Sequence, residues 1–387
     1  MSNITVSAPG KCILFGEHAV VYGQPAVAVA LDQRITVKIQ ASQTGTWLLD
    51  GNRLDMDRNP HIRALIEKLW PAEMGAPPLS IQIESSIPRS SGLGSSAALS
   101  VAFAGALRLA RGRWITKSGS VDRRHWAEGF GSHMRTTNPY DSSHGFSVDL
   151  PTNELFHVSG TMAVDDDENA ILAHGVEAAA QNGRASPIDS STCSHGEIVV
   201  ISDTIESELT HLYQRNLTTP EGKIIWQIHG VELSTKPDDV YLVVGNTGIN
   251  APTGKQVAKV ARLIKQHPEK IGVIETIGKI ARRGIKALMM GDFDAVGRTM
   301  SENQLMLKSI GVSSPELDAL IKAATPSSLG AKLTGAGGGG CMVALTRNPQ
   351  QTSDAIELAG GRTLISKLGS HGFNIETSEI STIWMKT

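Results

Sequence analysis

The sequence predicts an α+β protein built as two domains, and three observations carry that expectation. The chain has 387 residues, too many for one ordinary hydrophobic core and suited to two. Strand patterning dominates residues 1–85, where RITVKI (34–39) and LSIQIE (79–84) alternate apolar and polar residues as half-buried strands do. Helical patterning dominates 255–309, and the change from one to the other places a boundary near residue 235, giving domains of 1–235 and 236–387.

Each element follows from a local signal. CILF (12–15) is a short apolar run punctuated by Gly10 and Gly16 and reads as a strand. HIRALIEKLW (61–70) reads as a short helix. SSAALSVAFAGALRLA (95–110) is rich in alanine and leucine, with Gly105 as its only breaker, and reads as a helix. DDDENAILAHGVEAAAQ (165–181) opens with acids, where the helix dipole favours negative charge. EIVVIS (197–202) and DVYLVVG (239–245) read as strands, and the helical stretch of 255–309 is broken near Gly284 and Gly291. SSPELDALIKAA (313–324) offers Ser314 as N-cap and Pro315 at the first helical position, the preferred residues there. AKLT (331–334) and CMVALT (341–346) read as strands on either side of GAGGGG. Residues 111–164 sustain no period and read as a long irregular insertion, unusual inside a compact domain. His125, His133 and His144 lie in it, and their spacing fits exposed histidines better than a metal motif.

Composition excludes several classes. Hydrophobic residues make up 40% of the chain and charged ones 19%, with a formal net charge of −2, so neither nucleic acid nor an anionic membrane is called for as a partner. The three cysteines, Cys12, Cys193 and Cys341, argue against a disulfide framework and for a reducing cytoplasm. The N-terminus lacks the apolar stretch of a signal peptide, and no apolar run is long enough to span a bilayer.

Four stretches carry chemistry. IPRSSGLGSSAAL (87–99) places Gly92 and Gly94 before a helix whose first turn has no acid. A helix start left open in this way presents unpaired N–H groups and the positive end of its dipole to an outside anion. Ser95 and Ser96 add hydroxyls that could cap the helix or touch a metal. The same residues would also make a plain glycine turn before a serine-capped helix. GAGGGG (335–340) satisfies G-x-G-x-x-G, but a strand follows it instead of the helix a dinucleotide fingerprint requires. The strings expected of a protein kinase are absent, and GINAPTGKQ (248–256) has one residue too many, and Gln256 in place of Ser or Thr, for a Walker A loop. Five glycines in six residues exceed what a hairpin needs and fit backbone packed against a ligand. SAPGKCILFGEHAVVYG (7–23) sets Lys11, Glu17 and His18 among apolar residues. NGRASPIDSSTCSHG (182–196) holds Asp189 after a proline. An aspartate there is either a turn former or the carboxylate that a phosphoryl-transfer site needs near its attacking hydroxyl.

Together these stretches resemble the GHMP kinase superfamily, and APGKCILFGEHAVVYG is most similar to its mevalonate kinase branch. PRSSGLGSSAA resembles the superfamily's phosphate loop, KLTGAGGGGCMVAL (332–345) its C-terminal glycine motif, and RASPIDSSTCSHG the archaeal form of the segment bearing its aspartate. The resemblance implies an N-terminal unit like domain 2 of ribosomal protein S5, a ferredoxin-like C-terminal unit, and an active site in the cleft between them. It implies ATP-dependent phosphorylation of the 5-hydroxyl of (R)-mevalonate in isoprenoid biosynthesis, with Mg²⁺ as cofactor and a homodimer as the common assembly. Asp189 would be the base or charge stabiliser at the attacking hydroxyl, and Lys11 the cation that lowers that hydroxyl's pKa and pairs with Asp189. Lys11, Glu17, His18 and Asp189 would bind mevalonate. Pro88, Gly92, Leu93, Gly94, Ser95, Ser96 and Ala97 would wrap the triphosphate, with Gly335, Gly337 and Gly338 alongside, and Ser96 and Glu177 would hold the metal.

The chain departs from the pattern at named places. The 111–164 stretch has no counterpart and reads as a surface insertion. Asn182 adds one residue between Glu177 and Asp189, which could shift Glu177 along its helix, and Gly175 stands where a second glutamate is expected. Gly196-Glu197 replaces a Gly-Gly pair, and the 203–236 connection is longer than in compact archaeal relatives. The alternatives are a GHMP kinase for phosphomevalonate, a sugar or a hydroxy amino acid, or a catalytically silent ATP-binding relative. GEHAVVYG argues against the first, and the joint presence of Lys11, Ser96 and Asp189 against the second.

Overall fold

Residues 4–70, 78–88, 91–118, 147–148, 166–180, 185–219, 222–233 and 237–378 are described by the computed structural model of the chain. The first sheet is organised by two long strands, β1 (Ile4–Phe15) and β2 (Ala26–Ala41), which run antiparallel along their length. AVAVAL at the start of β2 is buried on both faces, while RITVKI after it alternates, as a strand does when one face emerges toward solvent. Short strands β3 (Leu48–Leu49) and β4 (Asn52–Arg53) precede helix α1 (Pro60–Leu69) and strand β5 (Leu79–Ser85), which pairs with the alternating half of β2.

Helix α2 (Ser95–Ser118) is buried on every side from Ser100 to Ala110, with Val101, Phe103 and Leu107 inaccessible to solvent. A helix apolar all round is a core helix, and truncating Phe103 to alanine should cost about 3–5 kcal/mol. This packing holds the start of α2 in place. α2 runs eight residues into the stretch expected to be irregular, a correction to the sequence reading. Strand β6 (Ser147–Val148) is the other described part of that insertion, whose three histidines lie outside the described residues.

Helix α3 (Asp166–Ala180) opens with Asp166, Asp167 and Glu168, as expected. Arg108 of α2 pairs with Glu168 and donates to Asn169 Oδ1 at 2.9 Å, so the two buried helices are tied by charge as well as packing. Helix α4 (Ile188–His195) carries Asp189 in its first turn, where the sequence reading left a turn open. Strands β7 (Ile198–Ser202), β8 (Thr210–Thr219) and β9 (Gly222–Gly230) complete the sheet in the order β4-β3-β5-β2-β7-β9-β8-β6. The long 203–236 connection is therefore largely a β8–β9 hairpin.

The second sheet is antiparallel, in the order β11-β12-β10-β13, from strands β10 (Tyr241–Asn246), β11 (Gly330–Thr334), β12 (Cys341–Thr346) and β13 (Arg362–Lys367). Between β10 and β11 lie α5 (Thr253–Gln266), α6 (Ile271–Met289), α7 (Phe293–Ser309) and α8 (Pro315–Ala324), and α9 (Pro349–Leu358) follows β12. The helical stretch breaks at His267-Pro268 and again at Gly291, not at Gly284. Gly284 sits inside α6 because a methyl group there would lie 2.4 Å from the Phe15 ring, so the glycine marks a close helix–strand approach and not a break. Ser314 caps α8 by accepting from Leu317 N, as expected. The chain then returns to the first sheet, where β14 (Asn374–Ser378) pairs with β1. The three cysteines are free and buried. Among the described residues no helix is long and apolar enough to cross a membrane.

Candidate active site

Lys11 lies where β1 leaves its regular ladder. The β1–β2 register shifts between Pro9 and Lys11, and the Lys11 backbone N–H donates instead to Leu93 O at 2.9 Å. Its side chain turns the same way: Nζ donates to Gly92 O at 3.0 Å and pairs with Asp189 Oδ1 at 3.0 Å. One buried lysine thus joins the edge of the sheet, the glycine loop and the start of α4. Burial alone would lower its pKa, but the Asp189 charge and hydrogen bond outweigh that and raise it above the ordinary lysine value. The ammonium therefore stays charged, and Asp189, whose side chain is 30% exposed, presents its open side to solvent.

The glycine loop leads directly into α2. Gly92 and Gly94 adopt φ of 76° and 75°, a region that side chains with a Cβ seldom occupy. Ala98 N–H makes the first helical bond, to Gly94 O at 2.8 Å. The preceding N–H groups of Ser95, Ser96 and Ala97 have no intrahelical partner, and no acid occupies the first turn. Leu93 and Ala97 are buried, Ser96 is exposed, and Ser91 Oγ braces the loop by donating to Pro88 O at 2.7 Å. The stretch from Gly335 to Gly340 faces this loop: a methyl group on Gly335 would lie 3.8 Å from Gly92 O, and one on Gly340 3.6 Å from Ser91 O. Gly338 N–H donates to Val312 O at 2.7 Å, and Gly337 backs onto the same carbonyl. The two glycine stretches, far apart in sequence, therefore lie side by side.

Glu177 reaches the same place from α3. Its Oε1 accepts from Ser96 Oγ at 3.1 Å. The extra residue Asn182, outside the described residues, leaves Glu177 facing Ser96. Burial, and then the charge of Asp189, push the Glu177 carboxyl up to about 8 against the opposing pull of Ser96 and Lys11. A carboxyl whose charge is disfavoured by burial and a neighbouring aspartate, beside a hydroxyl, makes a place where a cation would be stabilised. Among the described residues no cluster of three or more His, Cys, Asp or Glu could hold a metal unaided. Ser96 and Glu177 fit an ion that takes its remaining ligands from phosphates and water, as Mg²⁺ usually does.

Asp189 and Glu177 are held in relation by His174, one turn before Glu177. His174 Nδ1 accepts from Arg215 Nε at 2.8 Å, so Nε2 carries the proton donated to Ala185 O at 2.9 Å. Burial first, then Arg215, lower this imidazole's pKa to about 3, and it is neutral. The bond spans the ends of the segment that carries Asn182. His174 was not singled out in the sequence because a lone histidine on a helix has no signal of its own.

Glu17 and His18 form the turn after β1. His18 has φ of 62°, and its Nε2 donates to the Ala336 carbonyl at 2.9 Å. Glu17 is buried against Lys332 of β11 and accepts from Asn303 Nδ2 of α7 at 3.1 Å. Thr334, two residues beyond Lys332, brackets Ile13 of β1: its Oγ1 accepts from Ile13 N at 2.7 Å and donates to Ile13 O at 3.0 Å. Lys332 and Thr334 lie within the KLTG motif, but the sequence drew attention only to the glycines after them. Asn303 gave no signal, being one polar residue in an exposed-looking helix.

A charged lysine, an aspartate beside it, an anion-receptive helix start and a carboxylate–hydroxyl pair can together align a polyphosphate with an attacking hydroxyl. Known proteins support that chemistry. The GHMP kinases N terminal domain matches residues 61–134 and the GHMP kinases C terminal domain residues 282–359. The mevalonate kinase of Methanothermobacter thermautotrophicus is 31% identical over 345 residues, covering 88% of this chain and 89% of that protein. The mevalonate kinase of Pyrococcus abyssi is 29% identical over 404 residues, covering 96% and 98%. A crystal structure of L. major mevalonate kinase in complex with R-mevalonate has a TM-score of 0.64 at 22% identity, covering 94% of this chain and 96% of that one. The Methanococcus jannaschii mevalonate kinase has a TM-score of 0.61 at 24% identity, covering 97% and 99%. At those identities the structures speak for the fold, while 31% identity sustained over 88% of this chain places it in the mevalonate kinase family of the GHMP kinases.

Proposed function

We propose that the chain transfers the γ-phosphoryl group of ATP to the 5-hydroxyl of (R)-mevalonate, forming 5-phosphomevalonate. The observation that carries this reading is the contact of Lys11 with both Asp189 and Gly92 O. It puts a carboxylate beside the loop suited to the phosphates, so an alcohol at Asp189 would lie next to the group it attacks. Asp189 accepts the hydroxyl proton or offsets the charge that develops there, and Lys11 lowers that hydroxyl's pKa and fixes the carboxylate. The N–H groups at the start of α2, with Gly92 to Ala97 and Gly335 to Gly338, bind and orient the triphosphate. Ser96 and Glu177 would hold Mg²⁺, which supplies neutralising charge for the phosphates. His18 presents an Nδ1 lone pair that is buried and has no partner among the described residues, an acceptor suited to a substrate hydroxyl. Positioning and charge account for the catalysis, since phosphoryl transfer requires little covalent help from a protein.

The two-part division near residue 235 and a homodimeric assembly belong to the same reading. Light scattering on the purified chain tests the assembly. The activity is tested by coupled ADP release with MgATP against (R)-mevalonate, phosphomevalonate, galactose and homoserine, with Asp189→Asn in parallel. Turnover confined to mevalonate and lost in the variant is the expected result. Turnover on another acceptor overturns the substrate, and ATP binding without turnover on any acceptor overturns the kinase reading in favour of a silent relative.

A further inference from the structure

We propose that Lys332 is a positioning residue of the acceptor pocket: it clamps the Glu17 carboxylate and thereby sets the placement of His18, so that Glu17 serves the substrate through this clamp and not by contact. The proposal rests on the reading of His18 as part of the acceptor pocket.

Both oxygens of Glu17 are engaged within the protein. Oε1 pairs with Lys332 Nζ and Oε2 accepts from Asn303 Nδ2, and the Glu17 side chain is only 1% exposed. Lys332 is itself enclosed, with Nζ also donating to Leu333 O at 2.5 Å. The segment that supplies Lys332 also supplies the partner of His18, since Ala336 O accepts from His18 Nε2 at 2.9 Å. One stretch, 332–336, therefore holds the Glu17-His18 turn at both side chains. Thr334, on the same face of β11 as Lys332, anchors that stretch to Ile13 of β1.

The backbone explains why such a hold is needed. His18 sits at φ 62°, a conformation that a non-glycine residue keeps only when its surroundings impose it. Because a carbonyl can only accept, the bond to Ala336 fixes the proton on Nε2 and leaves Nδ1 as a buried acceptor with no partner among the described residues. Releasing Glu17 would free the turn to relax and swing that acceptor away. A buried ion pair is seldom more stabilising than an apolar pair of the same size, so its presence points to geometry.

The test compares Lys332→Met, Glu17→Gln and the paired E17Q/K332M variant with wild type. Readouts are KM for mevalonate, KM for ATP, thermal midpoint, and the ¹⁵N-edited NMR resonance of the His18 Nε2–H. Lys332→Met should raise KM for mevalonate on the order of 10–100-fold, the scale of a misplacement near an ångström, and leave KM for ATP within about twofold. It should also shift the His18 resonance. The paired variant contains no unmatched charge and no clamp, so it should keep a wild-type thermal midpoint more nearly than Lys332→Met while its KM for mevalonate stays raised and its His18 resonance stays shifted. A paired variant with wild-type KM for mevalonate and an unmoved His18 resonance would overturn the proposal, because the turn would then hold without the clamp. So would a Lys332→Met enzyme with wild-type KM and an unmoved His18 resonance. If Lys332→Met does not fold, the paired variant against wild type decides the question. If wild type shows no turnover with mevalonate, the substrate reading fails, and the His18 resonance still decides the clamp.

Discussion

Lys11 Nζ stands 3.0 Å from Asp189 Oδ1 and 3.0 Å from the carbonyl oxygen of Gly92, so a single ammonium joins the carboxylate that would face the acceptor to the loop that would face the phosphates. Lys11→Met and Asp189→Asn should each lower kcat by roughly 10²–10³. The two losses should not add, because the groups act as one unit. Steady-state kinetics on the two single variants and the double variant check this, and a double variant near the product of the singles would separate their roles.

Glu177 gives the protein a pH-dependent stability. Its pKa is about 8 in the fold against an ordinary 4.5, chiefly through burial and then through Asp189. Between those values the folded chain holds a proton that the unfolded chain has released, so stability is greatest below the unfolded pKa and falls as pH rises toward the folded one. The slope is at most about 1.4 kcal/mol per pH unit for one proton. Thermal midpoints without metal should decline across that window, and Glu177→Gln should flatten the decline. Adding MgATP near pH 7 should release protons, measurable as a buffer-dependent calorimetric heat.

The two glycines of the loop should respond differently to alanine. At Gly94 a methyl group would lie 3.0 Å from Lys11 Cγ, so Gly94→Ala should displace the lysine and lower kcat. At Gly92 no heavy atom lies within 4 Å. Gly92→Ala should therefore cost only the backbone strain, about 1–2 kcal/mol. Its methyl group would stand in the space assigned to the triphosphate, raising KM for ATP about tenfold for a lost or crowded phosphate contact. Melting curves and KM for each substrate distinguish the two.

His174→Leu removes the acceptor of Arg215 Nε and the donor to Ala185 O. A loss of about 2–3 kcal/mol in stability is expected from unsatisfied buried groups. The Mg²⁺ concentration for half-maximal activity should rise as well, because the segments bearing Glu177 and Asp189 are no longer tied. His174→Gln, which keeps a donor, should recover part of both. An unchanged Mg²⁺ dependence in a folded His174→Leu enzyme would make the residue purely structural.

Much of this was legible along the chain, because local chemistry writes local structure. Alternation announced β2 and β5, the Ser314-Pro315 pair announced α8, and the alanine- and leucine-rich run after Gly92-Leu93-Gly94 announced α2. Signals that depend on a distant neighbour misled or stayed silent. Gly284 looked like a break and is a contact with Phe15. Asp189 was open between a turn and a site until α4 set it beside Lys11. The β8–β9 hairpin passed as a connection, although KIIWQIHG reads as a strand once paired. Sequence by itself determined the fold class, the family resemblance and the kinds of residue at the site. Tertiary structure alone decided that Lys332 holds Glu17, that His174 spans the segment with the extra residue, and that Glu177 keeps Ser96 as its partner. The physical reason is that a side chain's partner across hundreds of residues is chosen by the packing of two sheets and their helices, which no local pattern records.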